Sequence, residues 1–180
     1  KHTLFYCGDG SVVDEKTEET DIFYIRDIEK VSAILHRNGW KSSRFTADES
    51  LKERQKIIEN FKNGFIDAMV SIRVLDEGID IPVCKQAFIL ASSRNERQFI
   101  QRRGRILRKS PSKSHAIIHD FIALPSSLVQ IDESLRSLVE NELDRFVEFS
   151  NIAINKQEID DIGEKISENY KIDWLIKSLQ

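Results

Sequence analysis

Apolar residues recur along this chain in two rhythms. Short unbroken runs alternate with longer stretches in which apolar residues return every three or four positions. Thr3–Cys7 (TLFYC), Asp67–Ser71 (DAMVS), Gln86–Ser92 (QAFILAS) and His115–Ile122 (HAIIHDFI) are runs of the first kind, and Lys41–Ala47 (KSSRFTA) is a weaker one. Continuous short runs predict strands buried on both faces. Between them, Ile28, Val31, Ile34 and Leu35 share one face of a helix over Asp27–Asn38, with Gly39 placed to end it. A second helix puts Leu51, Ile57, Ile58 and Phe61 on one side and closes at Gly64. Ser50 and Glu53 give it the S-x-x-E spacing of a capping box, and Ser93 with Glu96 repeat that spacing ahead of a third helix. The polar, acidic stretch Gly8–Asp21 is expected to be an exposed loop. Beyond Pro125 only the helical rhythm remains. Leu135, Leu138, Val139, Leu143, Phe146, Val147 and Phe149 carry one helix to about Asn155, and another starts near Gln157. Strands separated by helices imply an α/β fold: a parallel sheet with flanking helices, built from right-handed crossovers, over residues 1–125. A helical extension follows over residues 126–180.

Composition narrows the class. Of the 180 residues, 40% are hydrophobic and 32% charged, enough apolar material for a core within a heavily charged surface. The net charge of −3 excludes an overall basic field, so any nucleic-acid contact must be local. Acids cluster at Asp9–Asp21. From Ser127 onward 12 acids face 6 Lys or Arg, which argues against a DNA grip in the extension. Cys7 and Cys84 stand in apolar contexts without a CxxC or a nearby His pair, and are expected to be buried thiols. No run approaches the roughly 18 apolar residues of a membrane span. The opening KHTLFYC has none of the features of a signal peptide and enters a strand at once. It is expected to continue from a longer chain, in the cytoplasm, or in the nucleus of a eukaryote.

Open parallel α/β sheets bind ligands at the carboxyl ends of their strands. There, Ser71 opens SIRVLDEGIDIP, in which Gly78 permits a sharp turn and Asp80 sits between two isoleucines ahead of Pro82. The segment reads equally as a capped turn with a solvent-facing Asp80 or as a phosphate cradle beside a carboxylate. The stretch QFIQRRGRILRKS, Gln98–Ser110, holds four arginines and a lysine but no acid. On a helix, Gln98, Gln101, Arg105 and Arg108 share a face, Arg102 lies at its margin, and Phe99 and Ile106 lie around the cylinder. Gly104 lets a ligand or backbone approach closely. Arginine suits forked contacts to phosphate oxygens, and two of them a turn apart reach one triphosphate. The bland alternative is a solvated face paired with the acidic clusters.

Together these segments resemble a known family. SIRVLDEGIDIP resembles motif V, and QRRGRILR (Gln101–Arg108) resembles motif VI, of superfamily 2 helicases and translocases. The pattern Q-R-x-G-R-x-x-R is met at every defined position. TLFYC is similar to motif IV, and the likeness covers Thr3 to Pro125, with the DNA-directed excision-repair-like and restriction-like branches nearest. The resemblance implies a C-terminal RecA-like domain. It implies that Arg105 and Arg108 face the γ-phosphate of ATP, with Arg108 as arginine finger, and that Gln101 positions that phosphate or the attacking water. Gly78 and Asp80 would lie near the nucleotide. Ser71 would bond a nucleic-acid phosphate, with Thr46 and Gly8 as weaker backbone contacts. ATP with Mg2+ is the implied cofactor. The implied partners are an N-terminal RecA-like domain of the same protein and nucleic acid, DNA in the nearest branches, with no membrane. The chain has no GxxxxGK[ST] phosphate loop, and so no DExx box paired with one. It is therefore expected to be half of a motor that does not hydrolyse ATP alone. The alternatives are a non-catalytic helicase-like module that binds nucleic acid or a partner, and the motor part of a restriction or defence complex.

Overall fold

The computed structural model describes residues 2–8, 10–13, 24–72, 83–90, 113–126 and 132–172. Seven strands and four helices are described. The strands are β1 Thr3–Tyr6, β2 Ser11–Val13, β3 Tyr24–Arg26, β4 Ser42–Phe45, β5 Ala68–Ser71, β6 Gln86–Ile89 and β7 Ile117–Asp120. The helices are α1 Asp27–Arg37, α2 Leu51–Lys62, α3 Glu133–Ser150 and α4 Lys156–Tyr170. Five strands form an all-parallel sheet in the order β4-β5-β1-β6-β7. The expected RecA-like α/β architecture is present.

Chain direction across the sheet decides where the first two helices go. The path from β1 to β4 runs one way and the path from β4 to β5 runs back. Right-handed crossovers then put α1 and α2 on opposite faces. The alternation along β5 shows both faces at once. Ala68 and Val70 pack with Cys7, Ile72, and Ile28 and Leu35 of α1. Met69 packs with Leu4, Tyr6, Phe45, Ala87 and Phe61, with Ile57 and Ile58 of α2 against them. Every residue of β5 is buried, as a continuous apolar run requires in a central strand.

Local signals explain where the helices begin and end. The Ser50–Glu53 capping box forms at the start of α2 in both directions, and those bonds hold the Glu53 carboxyl below its usual range. Gly39 and Gly64, both at φ +76°, end the first two helices in the left-handed region that L side chains resist.

Three expectations are corrected. The stretch from Gly8 to Asp21 is not loop throughout: β2 pairs antiparallel with β3, Val12 opposite Ile25, and β3 runs directly into α1. Two three-residue strands give too little alternation to be read alone. Ile34 and Leu51 are 44% and 78% exposed, so each helix buries a narrower stripe than its apolar residues suggest. The last sheet strand is shorter than His115–Ile122 and only half covered. As the edge strand, β7 leaves Ile117 half exposed, while His119 stacks on Phe88 with ring centres 4.3 Å apart.

The contacts divide the chain into two compact units, parting at Phe121 and Ile122, ahead of Pro125. In the second unit, Asp132 caps α3 by accepting from the Leu135 amide at 2.7 Å. This helix stops at Ser150, short of Asn155, and a turn leads into α4. Val139, Leu143 and Phe146 pack with Ile172 and with half-buried Ile122, Leu124, Ile159, Ile166 and Tyr170. Inside the unit, Glu142 and Arg145 form a buried two-bond ion pair at 3.0 and 3.1 Å. Among the described residues no helix is long and apolar enough to cross a membrane.

Candidate nucleotide and nucleic-acid interface

The carboxyl ends of the parallel strands bring three of the expected residues to one edge. Ser71 closes β5, Gly8 follows β1, and Thr46 follows β4. The register ties these ends together: Tyr6 and Phe45 are both Cα partners of Ser71, and the Cys7 amide donates to the Ser71 carbonyl at 2.9 Å. The strand ends are therefore tied together by sheet hydrogen bonds.

Their side chains differ. The Ser71 hydroxyl is fully buried and has no hydrogen-bond partner among the described residues. A buried hydroxyl without a partner is destabilising, and such groups in native folds call for a specific reason. Thr46, also buried, is fully engaged. Its amide donates to Glu49 Oε2 at 2.6 Å and its hydroxyl to the same oxygen at 2.8 Å, while the Asp48 amide donates to the hydroxyl at 3.1 Å. Gly8 is half-buried. Cys7, beside it, has its thiol pushed up to about 12 by burial first and by Asp27 second, so it supplies no nucleophile at neutral pH. Burial likewise pushes the Cys84 thiol up to about 11. Glu49 was not anticipated as a site residue. Its signal was present as the T-x-x-E spacing of Thr46–Glu49, which immediately precedes the S-x-x-E box at Ser50.

Gly78, Asp80, Gln101, Arg105 and Arg108 lie outside the described residues, as do the Ser93–Glu96 spacing and the end of the chain from Asp173. In the chain, Gly78 and Asp80 fall between β5 and β6, and Gln101, Arg105 and Arg108 fall between β6 and β7.

Residues 10–110 match the helicase conserved C-terminal domain. The chain belongs to that family. It is a superfamily 2 helicase domain with a RecA-like fold. It is 39% identical over 103 residues to the DNA 3'-5' translocase XPB2 of Sulfurisphaera tokodaii, covering 57% of this chain and 23% of the relative. It is 27% identical over 152 residues to the putative ATP-dependent helicase IRC3 of Saccharomyces cerevisiae, covering 84% of this chain and 21% of the relative. The helicase domain thus spans about a fifth of the length of these relatives. Its fold is similar to the C-terminal domain of the DEAD-box protein Dbp5, with a TM-score of 0.51 at 17% identity over 84% of this chain and 71% of that one. It is also similar to the RNA-helicase Prp28 from Chaetomium thermophilum, with a TM-score of 0.56 at 13% identity over 87% of this chain and 32% of that one.

Proposed function

We propose that this helicase domain is the second motor half of an ATP-dependent DNA helicase or translocase. The observation that carries this reading is the complete Q-R-x-G-R-x-x-R pattern at Gln101–Arg108, inside the matched residues 10–110 and between two neighbouring parallel strands. Connections leaving the carboxyl ends of such strands are where α/β sheets carry ligand chemistry. The identity to a DNA 3'-5' translocase supports DNA as the track.

On this reading, ATP with Mg2+ would be held mainly by a first motor domain of the same protein, and its binding would close the two domains and bring Arg105 and Arg108 to the γ-phosphate. Arg108 is the arginine finger, Arg105 steadies the same phosphate, and Gln101 orients phosphate or water. Gly78 and Asp80 link nucleotide to track, and the buried Ser71 hydroxyl supplies a donor for a strand phosphate. Contacts of this kind grip a backbone without reading its sequence. The chain alone does not turn over ATP.

The test is Arg108→Ala in the domain joined to a first motor domain. Strand-stimulated ATPase should fall by about 10³ or more, the scale of an arginine finger, with strand affinity unchanged. Full turnover in the variant refutes the finger, and tighter binding of RNA than DNA refutes the track.

A further inference from the structure

At the carboxyl end of β4 the donors that would receive a phosphate are already occupied from within. One carboxylate oxygen, Glu49 Oε2, takes both the Thr46 amide at 2.6 Å and the Thr46 hydroxyl at 2.8 Å. An amide and a hydroxyl converging on one anionic oxygen is the pattern by which a strand-end loop holds a backbone phosphate. Thr46 stands one residue past Phe45, the register partner of Ser71, whose fully buried hydroxyl has no hydrogen-bond partner among the described residues. Two neighbouring strand ends therefore carry complementary features. One has an acceptor-seeking hydroxyl, and the other has paired donors covered by an internal anion.

Glu49 has another place to go. It is only half-buried, and it lines a shallow groove of about 280 Å³ between β4 and α2 together with the exposed Lys56, with Arg44, which pairs loosely with Glu29 at 3.4 Å, and with Glu53, whose carboxylate is held by Ser50. A carboxylate that leaves Thr46 reaches Lys56 and Arg44 there without crossing a packed core, in competition with Glu53 and Glu29.

We propose that Glu49 is a resident anion that closes the Thr46 phosphate site, so that a nucleic-acid strand binds there only by displacing its carboxylate toward Arg44 and Lys56. This rests on the nucleic-acid track assigned above. The two anions compete for the same donors, so Glu49 weakens strand affinity and eases release after each step. The carboxylate also holds the turn before α2, which is why the site is closed rather than empty when no strand is bound.

The test is the binding of a fluorescent single-stranded oligodeoxynucleotide across a salt series. Glu49→Gln keeps a carbonyl oxygen for the Thr46 amide but loses the charge. It should bind about 3- to 10-fold tighter with the salt dependence held, because the unaltered protein makes the same phosphate contact once its carboxylate is displaced. Glu59→Gln, the same charge change at an exposed position on α2, should leave the affinity within about 2-fold of the unaltered protein. Thr46→Val should remove part of the gain in the Glu49→Gln background. In the unaltered protein, the Thr46 amide resonance should move as strand is added. A Glu49→Gln protein that matches Glu59→Gln in affinity, or a Thr46 resonance that stays fixed while strand binds, overturns the resident anion and leaves the track standing. If neither form binds strand at low salt, the track itself falls, and the resident anion with it.

Discussion

Replacing Glu142 by alanine should destabilise the helical unit by about 3–5 kcal/mol. The estimate follows from the pair it breaks. Glu142 and Arg145 are 3% and 4% exposed, one turn apart on α3, and joined by two nearly parallel bonds at 3.0 and 3.1 Å. At that distance two unit charges attract by about 5–6 kcal/mol for an effective dielectric near 20. Withdrawing each ion from water costs several kcal/mol, so the intact pair contributes little net stability. Removing the carboxylate alone is different. The Arg145 guanidinium stays buried and loses both bonds to Glu142, and the Ala123 amide loses the Glu142 Oε2 acceptor at 3.2 Å. The unit contains Tyr170, whose hydroxyl donates to the Pro125 carbonyl at 2.7 Å, so a loss here also loosens Ile122–Pro125. Amide hydrogen exchange at Val139 and Leu143 isolates this unit from the sheet, and exchange should accelerate a hundredfold or more. Urea unfolding followed by helical circular dichroism gives the free energy. The double replacement Glu142→Leu with Arg145→Met should fall within about 1 kcal/mol of the unaltered protein or exceed it. A Glu142→Ala protein within about 0.5 kcal/mol of the unaltered one refutes the buried pair.

Two further outcomes follow from buried groups. Ser71→Ala removes a hydroxyl that has no hydrogen-bond partner among the described residues; stability should hold or rise by up to about 1 kcal/mol, while strand stimulation of ATP turnover falls. A stability loss larger than that, measured by urea unfolding, shows the hydroxyl to be bonded. Burial pushes the Cys7 thiol up to about 12 and the Cys84 thiol up to about 11 from an ordinary 9.0. A raised folded value means the unfolded chain ionises first as pH rises. Their stabilisation is therefore complete below pH 9 and lost between about 9 and 12, at up to about 1.4 kcal/mol per pH unit per thiol. Cys7→Ala with Cys84→Ala should flatten that decline in alkaline urea titrations, and iodoacetamide at pH 8 should label neither thiol faster than the chain unfolds.

Much of the sheet domain was legible in the sequence because its signals are local. The runs at Thr3, Asp67 and Gln86 need no partner to be read as buried strands. The capping box at Ser50 and the stops at Gly39 and Gly64 are decided within four or five residues. The family resemblance was legible for the same reason, since Gln101–Arg108 is a contiguous pattern. What escaped depends on residues far apart in the chain. The β2–β3 pair sets Val12 opposite Ile25 across an intervening segment, and neither strand is long enough to announce itself. The half-covered state of β7 follows from its place at the sheet edge, which strand order sets and apolar content does not.

At the candidate site the division is the same. The sequence by itself determined that hydroxyls and glycines stand at strand ends and that arginines sit in a motif between two strands, because parallel α/β topology follows from the alternation of runs and helices. Only the tertiary structure decided their states. Ser71 is buried, between its register partners Tyr6 and Phe45, with a hydroxyl that has no hydrogen-bond partner among the described residues. Thr46 is closed because a turn of three residues returns Glu49 to its amide. Charge and spacing name the groups that can meet a phosphate, whereas burial and competing hydrogen bonds determine which of them is free to do so.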